Sequence, residues 1–551
     1  MITPKKIHHT ESLAKQVDAL FCAWNKTDEP GCAIGIVQDG QLLYGRGYGL
    51  ANIEHGIPLS TQSVFDIASD SKKFVALCTL LLARQGKLSL EDEVQTHLPY
   101  IRRYEQPITL RQLIHHTSGL RDYITVGYLA GMSIDGHYPD EEWLNLIARQ
   151  QELNFVPGTE HFYSNTGYVL LAKVIECVSG MSLRAFTDQH IFAPLDMKNT
   201  HFHDDYKEVV PNRAVGYCPK DGGGFEMWVT SCNLMGARGI VTTVEDLCRW
   251  DANFCNNVLG GYGNDLIAEM ITPGKLSTGE LLDYAFAYEN HCYRGFKVIE
   301  HGGSAPGFRS QMVCFPEQHF TVICIFNRGD GNPTKLCRQV ADLYLGAEFT
   351  PTIDGDAASI TPSFIDLPVS DIESKVGFYH DANGGRIWEM TMQDGSLMVK
   401  AYEWGVSFKI AAMTLQRFKA VDFFVDVVVD FITPESGLPV ELRASENGKK
   451  PDVLKRMATS PVTTDQLKNY CGNYESDELG VMYRLSFEDD KIVFRAKGLD
   501  KADLLSINQT FFVCPGCGLF EFTFDQQGQV IGMIVSTGRV RGISFVKVPC
   551  E

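Results

Sequence analysis

The sequence predicts a mixed α/β domain followed by two small antiparallel β-barrels. At 551 residues the chain is too long for a single core. Residues 1–345 alternate amphipathic helix patterns with short β-branched strands, whereas the remainder consists of short alternating strands with little helical periodicity. Apolar residues make up 44% and charged residues 21% of the chain, which is ordinary for globular protein.

The first domain is expected to have strands at both ends and helices between them. Residues 33–37 and 42–48 have the pattern of a hairpin that turns at Asp39 and Gly40. Residues 320–326 (FTVICIF) are typical of a buried strand. Helix patterns cover residues 73–85, 168–178 and 244–253. This order favours one sheet built from both ends of the domain and flanked by a helical lobe.

The tail repeats itself after a linker. Residues 346–363 are small, polar and proline-bearing, so we assign a linker at 346–365, a first barrel at 366–460 and a second at 461–551. Each half opens with a short helical stretch, followed by G-x-Y and then strands. Four positions recur 95 residues later: Gly377 and Gly472, Tyr379 and Tyr474, Leu397 and Ile492, Ala401 and Ala496. Two copies of an antiparallel barrel of about 90 residues fit this repeat.

Composition and charge exclude several classes of function. A net charge of −19 repels phosphate backbones, so nucleic acid is not an expected partner. The apolar runs are shorter than the roughly 20 residues that cross a bilayer, which predicts no membrane span. The first 25 residues lack the apolar core of a secretory signal, which predicts a cytoplasmic protein. A mature chain after signal removal would look the same, so a periplasmic location stays open.

Cysteine spacing predicts reduced thiols and no metal site. The sixteen cysteines have no regular spacing, which fits buried thiols in a chain this long. Cys514 and Cys517 form a C-x-x-C without a second pair to complete a four-ligand zinc site. We therefore expect a strand-turn-strand corner with two buried thiols there. No metal or cofactor is expected.

The first chemical motif is S-x-x-K at Ser69 and Lys72, which leads into a helix pattern. A serine hydroxyl becomes a good nucleophile when a base within hydrogen-bond reach takes its proton. A spacing of three on a helix places the two side chains on one face, and the helix N-terminus adds positive potential. The alternative interpretation is an ordinary solvated lysine, as we expect for the neighbouring Lys73.

Two further motifs could complete a site. Tyr163 and Asn165 form Y-x-N: a tyrosine can exchange protons with a lysine, and an asparagine amide can bond both lysine and substrate. His301 opens H-G-G-S, in which glycines such as Gly303 let a substrate backbone approach and pair along a strand edge. Ser304 ends this stretch.

The order S-x-x-K, Y-x-N, H-x-G resembles the signature of penicillin-binding proteins, class C β-lactamases and their esterase and peptidase relatives. The stretch LIHHTSGL at residues 113–120 is also similar to that superfamily, and the resemblance covers about residues 15–345. It implies a β-lactamase/DD-peptidase-like catalytic domain. The tail, with lipocalin-like barrels, resembles that of bacterial D-aminopeptidases, as do residues 118–123, 443–447 and 476–479.

This resemblance implies a serine hydrolase that works through an acyl-enzyme. The activity it favours is an aminopeptidase that releases N-terminal D-amino acids from small peptides or amides. An esterase or amidase of the same superfamily is the alternative, and a catalytically silent penicillin-binding or sensor protein is an alternative of another class. The sequence leaves both a monomer and a homodimer open.

The resemblance also implies a role for each motif residue. Ser69 is the nucleophile, Lys72 the general base and Tyr163 the proton donor to the leaving group, with Asn165 in support. The backbone N–H groups of Ser69 and Ser304 would hold the oxyanion.

Three positions bear on the substrate. His301 replaces the lysine of the usual K-T-G, and a histidine with a reference pKa of about 6.5 attracts a substrate carboxylate weakly near pH 7. Asp70 is a departure from the family pattern, and its carboxylate could hold Lys72 charged. A loop at residues 497–504 matches a D-aminopeptidase loop that reaches the active site, and Asp503 falls on the position expected to contact a substrate ammonium.

Overall fold

The computed structural model describes residues 10–133, 136–228, 230–346, 349, 364–381, 385–403, 405–421, 423, 425–434, 437–446 and 450–549. The chain forms two compact units. The first contains residues 1–119, 135–140 and 155–359, and the second contains residues 120–134, 141–154 and 360–551. The predicted linker lies largely outside the described residues, and the predicted domain boundaries stay a prediction.

The first unit is built on a six-stranded antiparallel sheet, as predicted from the strands at its two ends. The chain turns between the first two strands at Asp39 (φ 52°) and Gly40 (φ 71°), the positive angles of a tight hairpin turn. The strand Phe320–Phe326 is buried along its whole length. Across the sheet, the strands are Glu289–Tyr293, Phe296–Ala305, Phe308–Phe315, Phe320–Phe326, Cys32–Gln38 and Gln41–Tyr48.

Helices cover the sheet because their apolar stripes match its faces. Val17 and Phe21 at the start of the chain and Val340 near the end of the unit share one core with strand residues such as Ile34 and Val322. The longer helices of this unit are Glu11–Leu20, Lys72–Arg84, Asn165–Ser179, Val244–Cys255 and Pro333–Leu345. Short helices lie at Val94–His97, Leu110–Ile114, Leu183–Thr187 and Asp265–Met270.

Local sequence accounts for where several of these helices begin. The Thr243 side chain accepts a bond from the Asp246 N–H at 3.1 Å, and the Asn332 side chain caps a helix that starts at Pro333. Both are preferred N-terminal residues, because they satisfy N–H groups that the helix leaves unpaired. The predicted helices are confirmed, and two of them begin at motif residues, Lys72 and Asn165.

The tail forms two closed eight-stranded antiparallel barrels, which confirms the predicted fold class. The first barrel consists of Gly377–Asp381, Ile387–Gln393, Ser396–Ala401, Val406–Ala412, Arg417–Val421, Val427–Ile432, Glu441–Glu446 and Asp452–Arg456. The second consists of Gly472–Ser476, Val481–Glu488, Lys491–Ala496, Ala502–Ser506, Phe511–Cys514, Gly518–Phe524, Val530–Thr537 and Val540–Val548. Short helices, Val369–Glu373 and Thr464–Leu467, precede them.

The internal repeat has a physical basis in each barrel. Gly377 has φ 143° and Gly472 has φ 149°, values that L side chains rarely adopt. Two residues later Tyr379 and Tyr474 are fully buried. Each tyrosine hydroxyl donates to the backbone carbonyl four residues earlier, at 3.0 Å and 2.6 Å, so the G-x-Y closes the short helix onto the first strand.

The cysteines are thiols throughout the part of the chain that the structure describes. Cys514 ends one strand, Gly518 begins the next, and the Cys514 and Cys517 thiols are both buried. This confirms the predicted strand-turn-strand corner. Among the described residues, no helix combines the length and apolar character that a membrane crossing requires.

Two helices from the first half of the chain belong to the second unit, which the sequence did not indicate. They are Tyr123–Leu129 and the greater part of Asp140–Ala148. Leu129 packs in the core of the second barrel, and its carbonyl accepts a bond from the Tyr483 hydroxyl at 2.7 Å. Arg121 forms a buried ion pair with Glu478. The two stretches, which were noted separately for their resemblance, are therefore in direct contact.

We expect Arg121→Ala to destabilise this unit strongly, because it leaves the buried Glu478 carboxylate without its charge partner. Loss of one member of such a pair costs about 3–5 kcal/mol. Urea unfolding followed by circular dichroism measures the effect. Arg443→Ala is the matched control, since its pair with Glu441 is exposed and worth about 1 kcal/mol or less. Equal shifts in the two variants would contradict this role for Arg121.

Candidate active site

Ser69 lies in a tight turn that the surrounding residues hold in place. The turn, Ala68–Ser71, is a single 3-10 turn that leads into the helix Lys72–Arg84. Ala68 adopts φ 48°, a left-handed conformation that is strained for a residue with a Cβ atom. The Asp66 carboxylate accepts from the Ala68 N–H at 2.7 Å, which stabilises this conformation. Ser69 is thereby held at the N-terminal end of a helix, where positive potential favours a developing anion.

Lys72 is fully buried, and three acceptors surround its amino group. Its Nζ atom lies 3.1 Å from Ser69 Oγ, 2.9 Å from Asn165 Oδ1 and 2.6 Å from the Ala237 carbonyl oxygen. The same nitrogen lies 4.9 Å from the centre of the Tyr163 ring. The structure therefore brings Ser69, Lys72, Tyr163 and Asn165 together, as the motif spacing predicts.

The three acceptors differ in what they can do chemically. An amide oxygen and a backbone carbonyl can only accept, so Asn165 and Ala237 each engage one Lys72 hydrogen in every protonation state. The Ser69 hydroxyl can both donate and accept. When the Lys72 amine is neutral, its lone pair is directed at the Ser69 hydroxyl, where it can take the proton. This geometry is that of an activated serine.

The third motif lies on the strand Phe296–Ala305, beside the Ser69 turn. Gly303 allows this approach: a Cβ atom there would lie 2.0 Å from the Ile67 carbonyl oxygen. The Ser310 hydroxyl donates to the same oxygen at 2.9 Å. Pairing with the outer strand Glu289–Tyr293 ends at Glu300. Among the described strands, residues 301–305 thus pair on one side, which leaves an edge where a substrate backbone can add.

His301 is held in a buried hydrogen-bonded group. Its Nε2 atom lies 3.1 Å from the Tyr284 hydroxyl and its Nδ1 atom lies 2.8 Å from the Gly302 carbonyl oxygen. The Tyr284 hydroxyl is also 3.2 Å from His116 Nε2, and the Ser164 N–H donates to His116 Nδ1 at 3.3 Å. Burial raises the pKa of Tyr284 well above its ordinary value, so the hydroxyl keeps its proton.

Asp70 does not pair with Lys72, which corrects the expectation drawn from the sequence. Its carboxylate lies 2.7 Å from Lys73 Nζ, and both side chains are 1% exposed. The interpretation of Lys73 as a solvated lysine is wrong for the same reason. Burial raises the pKa of Asp70, and Lys73 opposes this shift. The Lys72 amino group instead bonds Ser69, Asn165 and Ala237.

Two other predicted residues have different surroundings. Ser304 is exposed and lies opposite Arg309 in the strand pair, so its N–H as an oxyanion donor stays a prediction. Asp503 belongs to the second unit, and its expected place in a loop is wrong: it lies in the strand Ala502–Ser506. Its carboxylate forms an exposed ion pair with Lys491 at 2.7 Å.

Sequence reasoning missed part of this site. The Ala237 carbonyl has no signal of its own, since every residue carries one. His116 lies in the family stretch at residues 113–120, but its spacing does not mark it as a site residue, and Tyr284 lies in none of the three motifs. His116 adopts φ 56°, which turns its ring toward Tyr163 at 4.2 Å between ring centres. Its place in a histidine-rich turn was the one signal available.

One histidine group could be mistaken for a metal site. Donor atoms of His201, His203 and Glu208 lie within 4.8 Å of one another. Arg184, however, bonds both Glu208 oxygens, at 2.6 Å and 2.9 Å, and Arg213 donates to His203 Nε2 at 2.9 Å. The His203 proton must then lie on Nδ1, the nitrogen that a cation would need. This group is better described as a hydrogen-bonded charge cluster.

The sequence was compared with models of known protein families. The β-lactamase family model matches residues 14–344. The chain belongs to the β-lactamase family. This confirms the resemblance seen in the motifs, and the Ser69 site lies within the matched family domain.

For some relatives, the sequence similarity extends beyond the β-lactamase domain. It is 31% identical to a D-aminopeptidase of Cereibacter sphaeroides over 326 residues, 58% of this chain and 60% of that relative. It is 25% identical to a D-aminopeptidase of Brucella anthropi over 539 residues, 94% of this chain and 95% of that relative. The chain thus spans 60% of the length of the Cereibacter relative and nearly all of the Brucella one.

A solved structure supports the fold. The octameric penicillin-binding protein homologue of Pyrococcus abyssi superposes with a TM-score of 0.55 and 22% identity. The match covers 81% of this chain and 99% of that one. At this identity the likeness shows the fold alone.

We expect Gly303→Ala to disable the site while leaving the protein folded, because the added methyl group meets the Ile67 backbone beside Ser69. A displacement of about 1 Å can cost about 100-fold in rate. The rate at which a fluorophosphonate probe labels Ser69 measures this. Gly329→Ala is the matched control, since a Cβ atom there would make only ordinary contacts, the nearest at 3.5 Å. If both variants label at the same rate, the close approach at Gly303 is not what positions Ser69.

Proposed function

We propose that this protein is a serine aminopeptidase that releases N-terminal D-amino acids from small peptides or amides through an acyl-enzyme. The observation that carries the hydrolase chemistry is the buried Lys72 amino group, 3.1 Å from Ser69 Oγ. Similarity to a D-aminopeptidase over 94% of the chain, barrels included, supports the aminopeptidase activity. The proposed substrate is small and the reaction needs no cofactor.

The first half-reaction acylates Ser69. Its oxygen attacks the substrate carbonyl carbon while its proton passes to Lys72, and the N–H groups of Ser69 and Ser304 bind the resulting oxyanion. Removal of one such donor typically costs about 10²–10³ in rate. Tyr163 delivers a proton to the departing amine, and the carbon–nitrogen bond breaks. The acyl group is then bound to Ser69 Oγ as an ester.

Water completes the cycle. We propose that Tyr163 and Lys72 act together as one proton-transfer unit, since the Lys72 nitrogen lies 4.9 Å from the Tyr163 ring centre and the two side chains are neighbours. This unit removes a proton from the attacking water and returns it to Ser69 Oγ as the ester breaks. The D-amino acid leaves and the enzyme regains its starting protonation. Asn165 orients Lys72 through the 2.9 Å bond in both halves.

Substrate choice depends on the two ends of the substrate. His301 in place of a fixed lysine cation favours substrates that do not need a carboxylate bound beside the scissile bond. A free amine needs an acidic partner, and we assign this to Asp503. Its ion pair with Lys491 is exposed and screened by water, so exchange of Lys491 for a substrate ammonium costs little.

We also propose that the protein acts in the cytoplasm. The described cysteines are thiols, and several lie within one core, such as Cys32, Cys324 and Cys337. Thiols persist where the surroundings are reducing.

We expect Ser69→Ala to abolish hydrolysis while the protein remains folded, and wild type to prefer D-aminoacyl amides. Removal of the nucleophile leaves a residual rate lower by orders of magnitude, because the catalytic residues act as a unit. A panel of chromogenic D- and L-aminoacyl amides, N-acylated amides, simple esters and a cephalosporin measures both points. Substantial turnover by Ser69→Ala would exclude Ser69 as nucleophile. A wild type that cleaves esters but no free-amine amide would favour the esterase alternative.

We expect Asp503→Asn to lose activity mainly on substrates with a free amine. One charge-assisted hydrogen bond is worth about 1.5–3 kcal/mol, or about 10-fold to 150-fold in kcat/KM. The ratio of kcat/KM for a D-aminoacyl amide to that for its N-acetyl form measures the effect. Asp525→Asn is the control, since this turn acid of the same barrel bonds neighbouring backbone N–H groups. An unchanged ratio would show that Asp503 does not bind the ammonium.

A further inference from the structure

We propose that Tyr284 is a positioning residue that sets the specificity of the third motif by holding His301 in one neutral tautomer. The proposal deepens the proposed function, and it rests on that function where substrates are concerned. The tautomer itself follows from the hydrogen bonds. Neither the motifs nor the family resemblance assigned a role to Tyr284.

The direction of the hydrogen-bond chain is set at one end by Ser164. A backbone N–H can only donate, so His116 Nδ1, 3.3 Å away, is an acceptor. A neutral imidazole with an accepting Nδ1 carries its proton on Nε2. That proton faces the Tyr284 hydroxyl at 3.2 Å. The Tyr284 oxygen therefore accepts from His116, and its own proton is available to another partner.

The other end of the chain is set by Gly302. Its carbonyl oxygen can only accept, so His301 Nδ1, 2.8 Å away, carries a proton. In the neutral ring His301 Nε2 is then an acceptor, and the Tyr284 hydroxyl lies 3.1 Å from it. Tyr284 donates to His301, and every bond in the chain points the same way, from Ser164 to Gly302. For a neutral His301 the assignment follows from the two backbone groups, whose roles cannot reverse.

A competing acceptor does not change this assignment. The Tyr168 side chain also interacts with the Tyr284 hydroxyl, and its own proton goes to the Ile114 carbonyl at 2.9 Å. Imidazole nitrogen is far more basic than a phenol oxygen, so the Tyr284 proton favours His301. Burial keeps Tyr284 protonated, since it raises the pKa of the phenol well above its usual value.

This chain opposes a positive charge on His301. Protonation of Nε2 would place an N–H group against the hydroxyl that now donates to it, and Tyr284 would have to turn its proton to the less basic Tyr168 oxygen. His301 is thus held neutral, unlike the lysine that this motif usually carries. The titratable groups that face Tyr284 and His301 from the surrounding elements are Tyr163, Tyr168, His116, His161 and Glu289. Of these, Glu289 is the acidic side chain, and a neighbouring carboxylate favours a charged histidine once the tyrosine donor is gone.

The first test reads the tautomer directly. Nitrogen-15 spectra of protein labelled at histidine, with His301 assigned from His301→Gln, report the protonation of each ring nitrogen from pH 5.5 to 8. We expect wild-type His301 to remain in the Nδ1–H form throughout, and His301 in Tyr284→Phe to take up a second proton at the acid end. A wild-type His301 that titrates normally, or an unchanged spectrum in Tyr284→Phe, would overturn the proposal. The wild-type measurement decides the point even if the variant does not fold.

The second test reads specificity. D-Alanyl-glycine carries a carboxylate and D-alanyl-glycinamide does not, so the ratio of their kcat/KM values reports attraction to charge. We expect Tyr284→Phe to raise this ratio about 10-fold to 150-fold at pH 5.5 and much less at pH 8, as one charge-assisted bond is gained. Tyr293→Phe is the matched control, since this buried tyrosine of the same unit bonds Asp342 instead. A ratio that stays the same in Tyr284→Phe, or rises equally in Tyr293→Phe, would contradict the proposal.

The two tests separate failure of this proposal from failure of the proposed function. A wild type that hydrolyses neither dipeptide but shows the expected nitrogen spectra would support the hydrogen-bond chain through Tyr284 and contradict the proposed aminopeptidase activity. A wild type that hydrolyses both dipeptides but has a freely titrating His301 would support the aminopeptidase activity and contradict the role of Tyr284.

Discussion

The amino group of Lys72 must be buried beside Ser69 and still have partners for its hydrogens. A buried ammonium or amine without acceptors would cost several kcal/mol, so the surrounding chain has to supply them. Asn165 and the Ala237 carbonyl do so at 2.9 Å and 2.6 Å. The helix Asn165–Ser179 begins at one of these residues, and the helix Lys72–Arg84 begins at the lysine itself. The arrangement of the first unit around its site follows from this requirement.

A second buried lysine near the site, Lys73, has its own charge partner. Asp70 and Lys73 neutralise each other at 2.7 Å, so a second lysine lies next to the base without adding net charge. His301 is held by a chain of neutral groups instead. By this account the third motif presents a neutral histidine where the family pattern has a fixed lysine cation. This is the physical ground for proposing substrates without a carboxylate at that position.

The sequence predicted the parts of the site that depend on residue type and spacing. Ser69 with Lys72, Tyr163 with Asn165, and His301 with Gly303 each follow a local pattern, and the structure brings these pairs together. The order of strands and helices was also accessible, because periodicity and turn residues are local. The Ala237 carbonyl and the Tyr284 hydroxyl reach the site from distant segments, and local patterns do not encode such contacts. Asp70 and Lys73 are only three residues apart, but their pairing depends on the burial of both side chains, which spacing alone does not show.

In the tail, too, features that depend on neighbouring residues were predictable, whereas contacts between distant residues were not. The repeat of G-x-Y predicted two barrels, because the glycine angle and the buried tyrosine are local requirements. The contact of Arg121 with Glu478 joins residues 357 positions apart. Both lie in stretches that were noted for their resemblance, but sequence alone did not show that they meet. Asp503 was expected in a loop, and strand pairing with Val493 places it in the barrel wall.

The central claim is that Lys72 is the base that activates Ser69, and Lys72→Arg tests it most directly. Arginine can keep a positive charge and hydrogen bonds to Asn165 and Ala237, but it does not release a proton in proteins. The measurement is the single-turnover rate at which a D-aminoacyl ester forms the Ser69 adduct, followed by rapid quench and peptide mass. Our account predicts a fall of about 10²–10⁴-fold, the usual contribution of a general base. An arginine variant that acylates Ser69 at the wild-type rate would show that Lys72 is only a structural cation.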